Sequence, residues 1–208
     1  MSGEIWLVYL GTIIIFMVTP GPSHLLMLAN SLRHGAARSS ATAAGDLSAN
    51  ALQMLAAGTG LAALLVASQS LFTAVKWAGV AYLVFMAVRA WRQAGSSSGQ
   101  GAASQTSLKT LWMQGFFTSA ANPKAVLFFA ALFPQFLDPT SALAPQLLIL
   151  GATYLVVDGL FLTTYGLSAG WLGQRLRGPA RAWLDRIGAL ALFGAAILLG
   201  LRTLREAR

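Results

Sequence analysis

The sequence predicts an all-α integral membrane protein with six transmembrane helices, arranged as two inverted three-helix repeats. The chain of 208 residues is 56% hydrophobic and 10% charged, with a mean hydropathy of +0.66. Because soluble domains carry roughly 25% charged residues, this chain has too few charges to cover a water-exposed surface. Six apolar stretches cross, or nearly cross, ~30 Å of hydrocarbon, which needs about 20 residues each. They run over 5–28, 41–66, 71–91, 111–133, 143–170 and 185–201.

The first apolar stretch is predicted to be a retained span and not a cleaved signal peptide. It follows Glu4, and no Lys or Arg precedes Arg33, whereas a signal peptide begins with a basic region. All six spans are expected to be helical, because lipid offers no partner to an unpaired backbone group. Tryptophans lie near the span ends, as interfacial anchors do, at Trp6, Trp77, Trp91, Trp112, Trp171 and Trp183.

A Gly/Ser-rich segment, GSSSGQGAASQTS at 95–107, separates the first three spans from the last three. Such composition is typical of a flexible linker. The sequence therefore predicts a first repeat at 1–94, a linker at 95–109 and a second repeat at 110–208. Because each repeat holds an odd number of spans, the two repeats would insert in opposite orientations.

The net charge of +8 is spread over short loops between apolar stretches, with no motif that reads nucleic acid. The loops after spans one, three and five are basic, and those after spans two and four are nearly free of Lys and Arg. Basic loops stay on the cytoplasmic side, so both termini are expected outside. The basic tail LRTLREAR at 201–208 argues against this orientation.

Pro20, Gly21 and Pro22 interrupt the first span. Proline breaks a helix interior but is favoured at the first position of a helix, where its missing N–H is not needed. A second half-helix is therefore predicted to begin at Pro22. Its first N–H groups, those of Ser23 and His24, would face the break unpaired.

Span four carries a similar signal, with Asn122 as a preferred N-cap and Pro123 as a preferred first residue. The N–H groups of Lys124 and Ala125 would follow unpaired. A helix N-terminus carries about half a positive charge, and two Pro-interrupted spans in inverted halves indicate a transporter site. The group that two such ends would bind is a carboxylate. The simpler interpretation is a pair of proline kinks with no site between them.

Ionisable residues lie inside three of the predicted spans. A centred Asp or Lys costs ~2.5–3.5 kcal/mol on insertion scales, so such residues usually mark a pathway or relay. Lys124 is predicted to pair with a carboxylate or to hold the substrate carboxylate. Asp46 and Asp158 are predicted to serve the substrate amine or a coupling proton, and Asp46 could instead snorkel to its nearby loop. His24 either carries a proton or caps the broken helix.

Several enzyme and cofactor classes lack their motifs. The chain has no cysteine, only two histidines and no ATP-binding P-loop, so no metal and no cofactor is expected. Intramembrane aspartyl proteases need Gly-x-Gly-Asp and Tyr-Asp, whereas this chain reads AAGD at 43–46 and VD at 157–158. A Gly-x-Ser-x-Gly match at 95–99 lies in the linker with no strand before it. We expect a transporter and not an enzyme; a passive channel or a membrane scaffold subunit is the alternative.

Two stretches, TPGPSHLLMLANSLRHGAARSSATAAG at 19–45 and NPKAVLFFAALFPQFLDP at 122–139, resemble the LysE/RhtB family of amino-acid exporters. The resemblance covers essentially the whole chain. It implies an exporter of the bacterial inner membrane, driven by the ion gradient, whose motif positions here are Pro20, Gly21, Pro22, Asn122, Pro123 and Lys124. The chain departs from the family pattern at Ser23, where relatives often carry Asn or Asp, and at 45–48, where they often keep a glycine-rich turn.

The sequence therefore predicts a secondary active exporter of an amino acid or close derivative. Its expected partners are the amino-acid substrate, protons and the lipid bilayer, with no nucleic acid. The small-residue helix faces would permit a homodimer without requiring one.

Overall fold

The computed structural model describes residues 2–59, 68–93, 106–138 and 140–175, with scattered helical positions between 183 and 197. Every regular element in these ranges is helical, which confirms the all-α class. Most of the predicted linker and of the sixth predicted span lies outside the described residues. The helices are α1 (Gly3–Val18), α2 (Pro22–His34), α3 (Ala36–Gly58), α4 (Gln69–Gln93), α5 (Leu108–Ala120), α6 (Pro123–Leu127) and α7 (Leu143–Arg175).

Both predicted breaks are present, so neither span one nor span four is a continuous rod. Helices α1 and α2 meet at a bend of 56°. Helix α5 meets the segment Lys124–Phe136 at 52°; this segment is α6 followed by a π-helical turn at Phe128–Leu132 and a 3-10 turn at Phe133–Phe136. Pro22 and Pro123 each open the second half-helix, as the sequence predicts.

Helix α2 extends beyond the predicted end of span one at residue 28 and reaches His34. Its last turns contain the polar residues Asn30 and Ser31, whose side chains are buried in the protein interior and do not face lipid. A single residue, Gly35, then joins α2 to α3 with a φ of 79°, which L side chains rarely adopt. The first basic loop is therefore a tight turn between two helices.

Helix α3 packs most extensively on α5, and α7 packs on both α2 and α3. A Cβ on Gly45 would lie 1.9 Å from the carbonyl oxygen of Trp112, and a Cβ on Gly115 would lie 2.0 Å from that of Thr42. The two contacts are reciprocal, so α3 and α5 cross in opposite directions with their backbones touching. Each glycine is required by the close approach of the other helix.

Helix α7 approaches α2 and the start of α3 through the Gly-xxx-Gly pair at 166 and 170. A Cβ on Gly166 would lie 2.4 Å from the Met27 Cε, and one on Gly170 would lie 2.9 Å from the Ala36 nitrogen. The four helices α2, α3, α5 and α7 thus form the packed centre of the described chain.

The distribution of side chains is the reverse of that in a water-soluble protein. Large apolar side chains are exposed along the outer helix faces, reaching 75% for Ile15 and 72% for Leu148. Polar and charged side chains are buried between the helices, among them Asn30, Asp46, Asn50, Gln114 and Asp158. An outer surface this apolar requires lipid contact.

One described helix is by itself long and apolar enough to cross a bilayer, namely α7 over Leu143–Leu172. Each of the two bent pairs also reaches that length when it is counted as one span, which makes up to three spans among the described residues. The count of six spans and their inverted arrangement therefore stay predictions.

A short polar loop connects span four to α7. The Asp138 carboxylate accepts hydrogen bonds from the Thr140 N–H at 2.9 Å and from the Thr140 and Ser141 hydroxyls at 2.6 and 2.8 Å. These hydroxyls lower the pKa of Asp138 to about 2, so the group is ionised at neutral pH. The buried Gln146 side chain accepts from the Asp138 N–H and donates to the Asp138 carbonyl, which fixes the start of α7.

Candidate functional site at the two helix breaks

Residues of both breaks line one cavity between the central helices, with a volume of ≈ 20 Å³. This volume holds about one water molecule and no amino acid. The predicted site residues that line it are Gly21, Ser23, His24, Asp46, Asn122, Lys124 and Asp158. Pro20 and Pro22 shape the first break and are not among the lining residues. Pro123 opens the second half-helix at the other break.

At the first break, His24 caps the start of α2. The Gly21 N–H donates to the His24 Nδ1 at 3.4 Å, so the ring proton of the neutral imidazole lies on Nε2. The side chain is 5% exposed, and its ring packs edge-on against Tyr165 and Phe161. Its Nε2 makes no hydrogen bond to the part of the chain that the structure describes. Of the two roles that the sequence left open, the structure shows the cap, and it leaves one buried donor beside the cavity.

At the second break, the Asn122 side chain accepts from the Lys124 N–H at 3.1 Å. The prediction of a free Lys124 N–H is therefore wrong, because the N-cap residue reaches two positions ahead and satisfies it. The Asn122 amide also donates to the Ser23 hydroxyl at 3.5 Å, a long contact that joins the two breaks directly.

The Lys124 ammonium crosses to the other broken span. It donates to the carbonyls of Phe16 and Thr19 and lies 4.3 Å from the centre of the Phe16 ring. These carbonyls belong to the C-terminal end of α1, where the helix dipole is negative. Among the described residues, the ammonium bonds are thus made to backbone carbonyls and not to Asp46 or Asp158.

Deeper in the cavity, two carboxyl groups share one amide. The Asn50 Nδ2 donates to the Asp46 Oδ2 at 2.8 Å and to the Asp158 Oδ2 at 2.7 Å. Both Asp side chains are 2% exposed, so Asp46 does not snorkel to the loop. Within the described ranges, the buried Asp46 Oδ1 accepts no hydrogen bond, while the Ser119 hydroxyl donates to the Asn50 Oδ1 at 2.9 Å.

Several lining residues were not predicted from the sequence: Phe16, Met17, Asn50, Ser119 and Tyr154. Asn50 could have been predicted, because it follows Asp46 by four positions and so lies on the same helix face. Ser119 lies one turn before the Asn122 cap. The aromatic lining residues carried no signal, because apolar residues are ordinary in a membrane span.

A second buried polar cluster lies outside the cavity lining. The Asn30 amide donates to the Thr42 hydroxyl at 2.9 Å and to the Gln114 side-chain oxygen at 3.0 Å. These bonds join α2, α3 and α5 beside the Gly45–Gly115 crossing. The cluster satisfies polar groups between packed helices, and none of its members lines the cavity.

The cavity thus offers donors on one side and acceptors on the other. The start of α2 presents the positive end of its dipole, and Asp46 with Asp158 presents acceptor oxygens. Such an arrangement can hold a small molecule that carries both an anionic and a cationic group. Broken apolar helices around a buried polar site define a membrane translocator as the class of protein.

The chain belongs to the LysE type translocator family, whose model matches residues 14–203. It is 33% identical to the homoserine/homoserine lactone efflux protein of Salmonella typhi over 204 residues, which is 97% of this chain and 99% of that protein. It is 33% identical to an uncharacterized membrane protein of Vibrio cholerae over 179 residues, covering 86% and 87% of the two chains. The leucine efflux protein of Salmonella choleraesuis is 31% identical over 173 residues, covering 77% and 81%.

No solved structure matches the chain. The family match confirms the predicted resemblance. The chain is a multi-pass protein of the bacterial inner membrane and a translocator, not an enzyme.

Proposed function

We propose that the chain exports an amino acid or a close derivative by secondary active transport. The family consists of translocators, and the two named relatives are efflux proteins for homoserine, homoserine lactone or leucine. The observation that carries the proposal is the cavity at the two breaks, which combines a helix start with two buried carboxyl groups.

In this proposal the substrate carboxylate binds at the broken helices of spans one and four, and the ammonium binds at Asp46 and Asp158. The start of α2 supplies the N–H groups of Ser23 and His24, and Asn122 with Lys124 lies on the facing break. Lys124 would turn from the α1 carbonyls to the substrate carboxylate when the site is occupied. A zwitterion would then satisfy both sides of the cavity.

Proton coupling by antiport is supported by the carboxyl pair. Asp46 and Asp158 are buried and both accept from the same amide nitrogen, so two full negative charges there would repel strongly. Either a proton or a substrate ammonium relieves that repulsion. The two cations would therefore replace one another, which is the basis of an exchange.

An inverted repeat would provide the alternating access. The two broken spans bend by similar angles, 56° and 52°. Helix α3, in the second predicted span, packs on the broken span four, and α7, in the fifth, packs on the broken span one. Helix α3 carries Asp46 and α7 carries Asp158, and both aspartates line the cavity. Since ≈ 20 Å³ admits no amino acid, the two halves would rock apart to load and release it.

The test is counterflow in proteoliposomes loaded with leucine or homoserine, using the wild-type protein and Asp158→Asn. We expect saturable counterflow for the wild type and a loss of at least about tenfold for Asp158→Asn, because the amide can neither hold a proton nor pair with an ammonium. The matched control is Asp138→Asn, the same substitution in the polar loop before α7 and outside the cavity lining, which should retain transport.

Two outcomes would reject the exporter. A flux that does not saturate and is indifferent to Asp158→Asn would indicate a passive channel. No flux of any amino acid in a correctly folded, reconstituted protein would indicate a scaffold subunit.

A further inference from the structure

We propose that Asn50 occupies the place of the substrate ammonium and so holds the empty site closed. The inference rests on the proposed function and adds the residue that couples occupancy to opening. Asn50 is 2% exposed, lies on α3 and lines the cavity.

All the polar atoms of the Asn50 side chain are engaged, across three helices. Its two N–H donors go to Asp46 on its own helix and to Asp158 on α7. Its oxygen accepts from Ser119 on α5, three residues before the second break. If the amide were turned around, its oxygen would face the acceptor oxygens of both carboxyl groups. The hydrogen-bond partners therefore fix the orientation with the nitrogen toward Asp46 and Asp158.

A primary ammonium is a better partner for the two carboxyl groups than this amide. It carries a full positive charge, and charge-assisted hydrogen bonds are roughly twice as strong as neutral ones. It also has three donors, whereas the amide has two. The third donor also has an acceptor available, because no hydrogen bond from the described residues reaches the Asp46 Oδ1. A substrate ammonium is therefore expected to displace the Asn50 amide.

Displacement would release one of the ties between helices. An ammonium between Asp46 and Asp158 renews the link from α3 to α7 but offers nothing to Ser119. Because the amide group is planar, the Asn50 oxygen leaves Ser119 when the nitrogen leaves the carboxyl pair. The side-chain bond from Asn50 on α3 to Ser119 on α5 is thereby lost beside the second break. The hold of α3 on the C-terminal end of α5 is then weaker when the site is occupied, although the bonds from Gln53 to the Ser119 and Ala120 carbonyls remain.

The test compares ligand affinities of the detergent-solubilised wild type and Asn50→Leu at one fixed pH, from thermal shifts over a concentration series. The probes are leucine, homoserine, 3-methylbutylamine and 4-methyl-2-hydroxypentanoate. Because Asn50→Leu removes the amide that competes with the ligand ammonium, the Kd of the three ammonium-bearing probes should fall by about tenfold. This factor corresponds to the free energy of about one hydrogen bond. The hydroxy acid, which has no ammonium, should show no such gain, and the ligand-free unfolding temperature should fall.

The matched control is Asn30→Leu, the same substitution at a buried asparagine outside the cavity. It should lower the unfolding temperature through its lost bonds to Thr42 and Gln114 and leave every Kd unchanged. An unchanged or higher Kd in Asn50→Leu overturns the inference and leaves the proposed function standing. If the wild type binds none of the amino acids, the proposed function fails and the inference fails with it.

A second variant serves if Asn50→Leu does not fold. Ser119→Ala removes the bond that holds the Asn50 oxygen and leaves both carboxyl groups paired. It should lower the Kd of the ammonium-bearing probes by about threefold, in the same direction but more weakly. An unchanged Kd in this variant overturns the inference as well.

Discussion

The Lys124 side chain shows how backbone carbonyls can stabilise a half-buried cation. Its ammonium binds the Phe16 and Thr19 carbonyls, which the first break leaves without the helical partners they would have in a continuous span. The aliphatic stem of Lys124 also passes near Gly21, where an added Cβ would lie 3.5 Å from its Cδ. Lys124 of the second break therefore satisfies backbone carbonyls that the first break leaves without helical partners.

Replacing Lys124 by Met, which keeps the length and removes the charge, should lower both stability and transport. The free energy of unfolding should fall by roughly 1–2 kcal/mol, since the α1 carbonyls lose a charged donor in a half-buried position. Counterflow should be lost even in the variant protein that remains folded. Thermal unfolding in detergent and proteoliposome counterflow measure the two effects separately, and transport at the wild-type rate would remove Lys124 from the site.

The crossing of α3 and α5 is the closest helix–helix contact that glycine makes possible in the described chain, and it lies next to the site. Gly45 directly precedes Asp46. On the other helix, a Cβ added to Gly115 would lie 3.0 Å from the Asp46 backbone nitrogen. The position of the Asp46 carboxyl group therefore depends on backbone contact between two helices. Any side chain at the crossing would displace the site along with the helices.

Gly45→Ala and Gly115→Ala should each destabilise the protein by roughly 1–3 kcal/mol or more, because the added methyl group meets a carbonyl oxygen and not a flexible side chain. The matched control is Gly11→Ala on α1, where nothing lies within 4 Å of the added Cβ. That substitution should be neutral or slightly stabilising, since alanine favours the helix more than glycine does. Equal unfolding temperatures for Gly45→Ala and Gly11→Ala would show that the crossing does not constrain the fold.

The whole molecule is organised around its polar interior and not around an apolar core alone. Two buried clusters, one centred on Asn50 and one on Asn30, connect the central helices, while leucine, isoleucine and valine cover the outside. Lipid cannot compete for hydrogen bonds, so such clusters hold helices together where the hydrophobic effect does not act between them. The arrangement explains how the packed helices enclose a polar site inside a bilayer.

The predicted orientation, with both termini outside, can be tested because the chain has no native cysteine. A cysteine introduced at Ser2 should react with a membrane-impermeant maleimide in intact spheroplasts. A cysteine introduced at Ser98, in the predicted cytoplasmic linker, should react only after the membrane is permeabilised, since the basic loops stay inside. The opposite pattern would show that the basic C-terminal tail sets the orientation.

The candidate site could be predicted in part because charge and proline are conspicuous in an apolar sequence. Asp46, Asp158, Lys124 and the two breaks were all predicted from the sequence, and the structure brings them to one cavity. Asn50 and Ser119 were missed because a neutral polar residue in a span is compatible with many packing roles. Asn122 was predicted as the N-cap residue, and its side chain accepts from the Lys124 N–H. The expectation that this N–H stays unpaired was wrong because it ignored the hydrogen bond that an N-cap side chain makes.

By itself the sequence determined the membrane environment, the helical class and the positions of the two breaks, since each follows from local composition or from the geometry of proline. The family was indicated by the resemblance of two motif stretches, and the family match confirms it. Only the tertiary structure decided which partners the buried polar groups take: Asn50 for the two aspartates, backbone carbonyls for Lys124 and His24 as a helix cap. The physical reason is the separation along the chain of the residues that specify each feature. A break or an apolar stretch is specified by neighbouring residues, whereas a hydrogen bond between Asn50 and Asp158 depends on how helices distant in the chain pack together.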